Sequence, residues 1–506
     1  MSYVLGIDCG TSATKTVLFD SDGNAVASAS KEYPLYQPAN GYAEQDPLHW
    51  KNAMLDTVTE IICKSGVSAD EIAGIGLSGQ MHGLVMLDSG GNVLRNAIIW
   101  CDQRTQPQVD KMNVLAADKI AQISANPALT GWTLAKILWV RDNEPQIYEK
   151  CRHILLPKDY LRYVLTGEFA TEVSDASGMQ LLDVKNRCWS KELCSLFEID
   201  TSLLARICES CEVTGKVTAH IADITGLRQG TIVVGGAGDN AAAAVGTGVC
   251  RQGRAFTTIG TSGVVFAHTD KPVIDPKGRV HTCCAAVPGS WHVMGVTQSA
   301  GLSLKWFRDN FCGAEKETAK LLGTDEYYIM DKQAETVAVG CDRLIYLPYL
   351  MGERTPHLDA DARGVFFGLS AVHTKKHMLR AVMEGVAFSL RDCVEVFREM
   401  GLDITDMAAC GGGAVSALWR SMLADLYGCE VKTLSSKEGP ALGAAILAAV
   451  GAGIYSSVPQ ACGAIVKQDK LCTPDAQRAQ LYEQYYRLYR KLYPSLKAGF
   501  SELAQL

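Results

Sequence analysis

At 506 residues the chain exceeds the roughly 250–300 residues at which a single hydrophobic core stops growing, so two domains are expected. With 47% hydrophobic and 20% charged residues the composition is that of a globular enzyme and excludes disorder. A net charge of −7 without a long basic run excludes the electrostatic footprint of a nucleic-acid binder or of a protein held on an anionic membrane, which leaves small-molecule ligands.

The start, MSYVLGIDCG, passes straight into a strand with no signal peptide, and the 18 cysteines are scattered singly through apolar segments. Reduced thiols in a cytoplasm are the expectation. Cys208 and Cys211 form a lone CxxC with no second pair at zinc-ribbon spacing, so structural cysteines are expected rather than a metal site. The apolar run Ala441 to Val450 is too short to span a bilayer.

Taken in order, Tyr3 to Asp20 reads as a hairpin, YVLGID and TVLFD joined by CGTSATK, with a further strand, AVASAS, after the turn at 21–24. In the connecting loop Gly10, Thr11 and Ser12 can offer backbone N–H groups and hydroxyls to a phosphate. Lys15 adds a positive charge, and Asp8 at the strand end can hold Mg²⁺ directly or through water. A plain polar turn fits the same residues. Asp46 before Pro47 is an N-cap with proline at the first helical position, and Trp50, Met54, Val58, Ile61 and Ile62 recur at helical spacing. GIGLSG at 74–79 matches G-x-G-x-x-G, but it lies inside a strand pattern with no helix opening after it, so no dinucleotide site is expected.

Gln80, Met81 and His82 stand in the following loop, where Gly79 and Gly83 would permit close approach of a ligand; Trp100, Asp102 and Arg104 come just after another strand. Each of these six fits packing as well as ligand binding. GWTLAKILWV reads as a helix with Trp132 at its open end, PKDYLRYVLTG as a helix ending at Gly167, and TEVSDASG at 171–178 as a polar loop with two acids.

The stretch Val233 to Val249, VVGGAGDNAAAAVGTGV, is the centre of the chain. An apolar strand runs into glycines, meets one carboxylate, Asp239, and becomes an alanine-rich helix whose start favours anions. Asp239 also fits a plain N-cap. Gly246 and Gly248 lie where a hinge between domains would bend. Next, AFTTIGTSGVVFA repeats the amino-terminal design, strand, Gly260-Thr261-Ser262-Gly263, strand, and is read as an internal duplication. Farther on, YLPYLMGERTP and GVFFGLS precede a long helix from His377 to Met400. AACGGGAV runs a strand into Gly411, Gly412 and Gly413, whose bare backbone at a helix start suits a flat base and a phosphate. GPALG opens one more small-residue helix, and Tyr482, Tyr486, Tyr489 and Tyr493 form a packing stripe in the tail.

MSYVLGIDCGTSATK, GLSGQMHG, WCDQR, GWTLAKILWV, LLPKDYL, GAGDNAAAAVG, IGTSG, YLPYLMGERTP, GVFFGLS, ACGGGA and GPALGAA together resemble the carbohydrate kinases of the FGGY family, in the same order and over nearly the whole length. The resemblance implies an α/β fold of two ribonuclease H-like domains of the actin and hexokinase ATPase type, facing each other across a cleft. Residues 1–246 would bind mainly sugar and 247–506 mainly ATP. Asp239 matches the catalytic base, Met81 and His82 the ketose contacts, and Trp132 an aromatic near the substrate, with Asn240 a further candidate. Asp8, Thr11, Ser12 and Lys15 match the first phosphate loop, with Asp8 positioning Mg²⁺. Gly260, Thr261 and Ser262 match the second loop, and Gly411, Gly412 and Gly413 the adenosine side. The wording GQMHG, PKDYL and GERTP implies a ketose such as D-xylulose, with another ketose, a polyol or a sugar acid as the nearer alternatives and a non-catalytic sugar-binding regulator as the alternative of another class. A homodimer is left open. Ala417 is apolar where glycerol kinases are polar, which leaves adenine hydrogen bonding there open, and Trp132 replaces a smaller aromatic.

Overall fold

The computed structural model describes residues 2–436 and 438–506. The opening hairpin forms as its alternation predicts, β1 (Tyr3–Cys9) pairing antiparallel with β2 (Ala13–Asp20) and β2 with β3 (Ala25–Glu32). After α1 (Pro47–Ser65), capped by Asp46, the chain returns as β4 (Ile72–Gly79), parallel to β1. β5 (Val213–Lys216), β6 (Ile232–Val234) and β7 (Ala237–Gly238) complete a sheet of order β5-β6-β4-β1-β2-β3, with β7 pairing the far end of β4. The helices α2 (Thr133–Asn143) and α3 (Pro157–Thr166) lie in the long excursion between β4 and β5.

The second sheet repeats the plan. Its strands are β8 (Arg254–Ile259), β9 (Gly263–Thr269), β10 (His281–Cys284), β11 (Trp291–Thr297), β12 (Asp406–Cys410), β13 (Glu430–Leu434) and β14 (Gln468–Cys472), in the order β10-β11-β9-β8-β12-β13-β14. Laid side by side, β3-β2-β1-β4-β6 and β11-β9-β8-β12-β13 have the same neighbours in the same directions, antiparallel up to the hairpin and parallel beyond it. The duplication read from two short loops is therefore a duplication of the whole five-stranded core. Beyond it each sheet adds an antiparallel edge strand, β5 on β6 and β14 on β13, although β5 precedes its partner in the chain and β14 follows; β10 extends the second sheet at its other edge.

Each sheet is covered on both faces, which is why its strands are apolar on both. α1 packs Trp50, Met54 and Val58 on the side of Leu5 and Ile7. The other side, with Val4 and Val17, receives Ala441, Leu442 and Ala445 of α8 (Gly439–Gly451), a helix that follows β13 of the second sheet. Conversely, α4 (Asp239–Gly246) follows the first sheet, yet its Ala244 packs on Phe256 and Phe266 of the second. α4 thus lies between the sheets, its Ala241, Ala242 and Val245 clustering with Val4 and Val234 of the first, and it touches α8 where the two helices cross. A Cβ on Gly443 would lie 1.8 Å from the Ala242 carbonyl oxygen, and one on Gly246 would lie 1.9 Å from that of Gly439. Gly246 is thus a contact point of the crossing. The glycines of GIGLSG are explained the same way, since a Cβ on Gly76 would lie 1.9 Å from the Ala444 carbonyl oxygen.

Around this centre stand α5 (Gly301–Phe311), α6 (Lys375–Glu399), α7 (Ala417–Tyr427) and α9 (Ala476–Leu503). The tyrosine stripe of α9 is buried, as its spacing predicts, and its hydroxyls are paired: Tyr486 donates to Asp392 at 2.6 Å and Tyr493 to Asp359 at 2.7 Å. One expectation fails locally. TEVSDASG is no polar loop but a buried strand end and a helical turn, Val173–Ala176, in which Glu172 accepts from the Ser174 and Asp175 amides. All eighteen cysteines are free thiols, and among the described residues no helix is long and apolar enough to cross a membrane.

Gly443→Ala should lower stability by roughly 1–3 kcal/mol, because the added methyl meets backbone that cannot move aside. Gly463→Ala, in a helix where no atom lies within 4 Å of the added carbon, should be neutral or stabilising by about 0.5–1 kcal/mol. Urea midpoints of the two variants provide the comparison.

Candidate active site

Asp239 is the first residue of α4, with Gly238 in the capping position. Its Oδ1 accepts from the Asn240 amide at 2.7 Å and from Asn240 Nδ2 at 2.9 Å, so it does not bridge to the next turn as an N-cap would. Burial and the nearby Asp8 carboxylate push its carboxyl up to about 7, against the two bonds from Asn240. Asp8, at the end of β1, is itself pushed up by burial, opposed by the Ser78 hydroxyl and the Lys15 charge. Its Oδ1 is buried without a hydrogen-bond partner. No group of three or more metal-ligating side chains exists among the described residues. One orphaned carboxylate oxygen is the donor set expected of a Mg²⁺ site completed by phosphate and water, so the residues fit that ion.

On one side of Asp239 lies the loop 80–83. The Met81 side chain rests on Gly238, where a Cβ would come within 2.9 Å of its Cγ. His82 takes the left-handed conformation, φ 66°, rare for a residue with a side chain. It is held there by α2: Lys136 Nζ donates to the His82 carbonyl at 2.8 Å and Thr133 Oγ1 at 3.0 Å, while Trp132 stacks on the imidazole at 4.7 Å. The glycines around His82 serve protein contacts instead of ligand access. A Cβ on Gly83 would lie 2.5 Å from the Pro157 ring, one on Gly79 3.0 Å from Lys158 Cβ, and one on Gly178 2.3 Å from His82 Nδ1. The expectation that these glycines open the loop to a ligand is therefore corrected: they make room for Pro157, Lys158 and the His82 ring. Burial, with the charge of Lys136, pushes the His82 imidazole down to about 3, so it is neutral; burial also pushes the Lys136 amine down to about 7.

Lys136 was invisible in the sequence, and so was a second buried lysine. Lys158 lies 2.6 Å from Asp159 and 3.4 Å from both Glu172 and Asp175, all wholly inaccessible. Burial disfavours its charge, but the three carboxylates outweigh burial and hold it protonated. With one cation among three acids, burial pushes the Asp175 carboxyl well up, and the charge of Asp239 adds to the shift. Ser174 Oγ in the same turn accepts from the Gly238 amide at 3.2 Å, tying this cluster to the residue before Asp239. Asp102 and Arg104 resolve to packing. Arg104 donates to both oxygens of Asp102, Nε to Oδ1 at 3.0 Å and Nη2 to Oδ2 at 2.7 Å, and the guanidinium lies over Tyr42. Gln80 bridges to Gln45 at 2.8 Å and Trp100 Nε1 donates to Thr11 Oγ1 at 2.9 Å, so both brace the first hairpin loop.

On the other side of Asp239 a cavity of about 690 Å³ is lined by Asp239, Asn240, Gly411, Gly412, Gly439 and Pro440, which brings the starts of both crossing helices to one wall. A second cavity of about 690 Å³ shares Gly412 and is lined by Gly260, Thr261, Gly413, Tyr327, Ala417 and Trp419. Of the three glycines only Gly412 faces open space; a Cβ on Gly411 or Gly413 would meet Ile259 at 2.9 and 2.5 Å. The Gly260 and Thr261 carbonyls accept from the Gly301 and Leu302 amides at 2.7 and 3.1 Å, so the second loop is fastened to the start of α5. Ser262 is not among the residues lining either cavity. In the first loop Ser12 is exposed, and Lys15 is engaged by Glu438, 2.5 Å away, just before α8.

The family model for the N-terminal domain of the FGGY family of carbohydrate kinases matches residues 3–246, and that for the C-terminal domain matches residues 255–452. A xylulose kinase of Bacillus subtilis (strain 168) is 40% identical over 497 residues, covering 98% of each chain. A gluconokinase of the same organism is 32% identical over 505 residues, covering 99% of this chain and 98% of its own. Among solved structures, a xyloylose kinase from Brucella ovis superposes with a TM-score of 0.90 at 35% identity, over 98% of this chain and 99% of that one.

In the protein without ligands the Asp239 carboxyl is expected to titrate at about 7, and Asp8→Asn, which removes a neighbouring negative charge, should move that midpoint down. Difference infrared spectroscopy on isotope-labelled aspartate reads both; an unmoved midpoint would assign the whole shift to burial.

Proposed function

The chain belongs to the FGGY family of carbohydrate kinases, and on that premise we propose that it transfers the γ-phosphoryl group of ATP to the terminal hydroxyl of D-xylulose, with Asp239 as general base. The observation that carries this reading is the place of Asp239: one raised carboxyl between the Met81–His82 loop and the cavity that leads to Gly412. A sugar hydroxyl is a poor nucleophile near neutral pH, and a carboxylate with a pKa near the working pH is well matched to accept its proton as the phosphoryl group moves in line. Asn240 holds the carboxylate in place through its two bonds.

We assign residues 1–246 mainly to the sugar and 247–506 mainly to the nucleotide, with Met81, His82, Trp132 and Asn240 around the ketose. Gly260, Thr261 and Ser262 take the phosphates from one side, and Thr11 and Ser12 from the other. Gly411, Gly412 and Gly413 lie under the adenosine, where Tyr327 and Trp419 supply aromatic surface and Ala417 an apolar one. Lys15 reaches a phosphate oxygen by exchanging Glu438 for it. Asp8 would hold Mg²⁺, which supplies positive charge against the phosphate oxygens. Eighteen free thiols support a reducing compartment, and we assign the cytoplasm.

D-gluconate is the rival acceptor, favoured by one feature: the Arg354 charge is felt by both His82 and His281, and a carboxylate substrate would pair with it. ADP release measured across D-xylulose, other ketopentoses, polyols and D-gluconate decides between them, and turnover of none would leave the sugar-binding regulator. Asp239→Asn should lower kcat by roughly 10²–10⁴ while ATP binding survives, because shape is kept and the base is lost. In the wild type kcat/KM for the sugar should rise with pH through about 7, since only the ionised carboxylate accepts a proton. A flat profile from pH 5 to 9, roughly two units to either side, would remove Asp239 from that role.

A further inference from the structure

His281, on edge strand β10 of the second sheet, stands at the sugar side of the cleft. Its ring lies 5.5 Å from that of Trp132, the residue stacked on His82, and the two imidazoles are close enough to feel each other's charge. The second sheet thus adds a third ring to a wall otherwise built from the first half of the chain.

Its orientation is fixed by Asn126, a fully buried side chain of the first half. Asn126 Nδ2 donates to the Ser124 carbonyl at 2.8 Å and the Thr282 carbonyl at 2.7 Å, so its Oδ1 is the acceptor on the other side. That oxygen takes the Thr282 amide at 3.1 Å and His281 Nδ1 at 3.3 Å. His281 Nδ1 therefore carries the proton, and Nε2 presents a lone pair. His82 is set in the same way, because its Nδ1 lies 3.2 Å from the Gly178 carbonyl, which can only accept. Both rings are partly exposed, and neither Nε2 has a hydrogen-bond partner among the described residues. Burial and the Arg354 charge push the His281 imidazole down to about 3, so the lone pair is free throughout the working pH range.

We propose that His281 is a sugar-contacting residue supplied by the second half of the protein, its Nε2 accepting a hydrogen bond from a hydroxyl of the polyhydroxylated substrate bound against Met81, His82 and Trp132. This rests on the assignment of that region as the sugar site. Two imidazole acceptors, both locked with the proton turned away, form a pair of fixed acceptors for two hydroxyls. A site that hydrogen-bonds a hydroxyl rejects an analogue lacking it, because the protein atom is then left unpaired.

The test uses His281→Phe, which keeps a ring against Trp132 and removes the acceptor, beside His82→Phe and the wild type. Calorimetric Kd and kcat/KM are measured for D-xylulose, for its monodeoxy analogues, and for whichever other sugar the wild type binds best. The expected result is a loss of roughly fivefold to tenfold in affinity for the full sugar in His281→Phe. For one deoxy analogue that loss should vanish, since variant and wild type then lack the same bond. An unchanged affinity in His281→Phe, or an equal loss on every analogue, overturns the inference. If His82→Phe loses affinity while His281→Phe does not, the sugar site stands and this inference alone fails. If neither variant changes the affinity of a sugar that the wild type binds, or if the wild type binds none, the site assignment fails with it.

Discussion

The structure depends on the crossing of α4 and α8. α8 leaves the second sheet and packs on the first, α4 lies between the two, and at the crossing there is room for backbone only: Gly443 against Ala242, Gly246 against Gly439. Contact at that distance is possible only without side chains, which is why DNAAAAVG and GPALGAA are composed of small residues. The consequence for the site is geometric. Both helices begin at the same cavity, so Asp239 at the start of one and Gly439 and Pro440 at the start of the other are placed by these two contacts, one of which Gly439 itself makes.

That placement brings carboxylates together in a region with little water, and the protein deals with each differently. Asp8 keeps an unpartnered oxygen and Asp239 is tuned by burial and by Asp8, while Glu172 and Asp159 are satisfied by Lys158, amides and hydroxyls. Lys158 anchors the turn that supplies Ser174 to the Gly238 amide, so the buried ion cluster acts on the site through position instead of contact.

Much of this was legible in the sequence where the signal is local. The hairpins, the glycine-to-helix turn at Asp239, the Asp46 cap and the tyrosine stripe are short-range patterns, and all appear where the pattern put them. The duplication was legible from its two loops alone because β1 and β8 carry the same design. What stayed hidden joins distant positions. Lys136 and the His82 carbonyl are 54 residues apart, and Asn126 and His281 are 155 apart. Glycines misled for the same reason: at Gly79 and Gly83 the sequence shows a missing side chain, but only the fold shows that protein, not ligand, fills the space.

The wall of Met81, His82 and Trp132 lies where hydrogen bonds join the two halves of the chain. Asn126 grips the Thr282 backbone, the Cys284 amide donates to Ser177 Oγ at 3.0 Å, and Trp291 Nε1 donates to the Val184 carbonyl at 2.7 Å. With the helix crossing, this gives two fixed regions behind the reacting centre. A movement that narrows the cleft must turn about them, and one further link between the halves lies at the first hairpin loop. There the link between the halves is Lys15 with Glu438, a partly exposed ion pair of small worth in water. A phosphate oxygen at this loop would compete for the same ammonium. On the assignment proposed above, a nucleotide would replace this partly exposed ion pair while the buried bonds behind Asp239 and His82 stay in place.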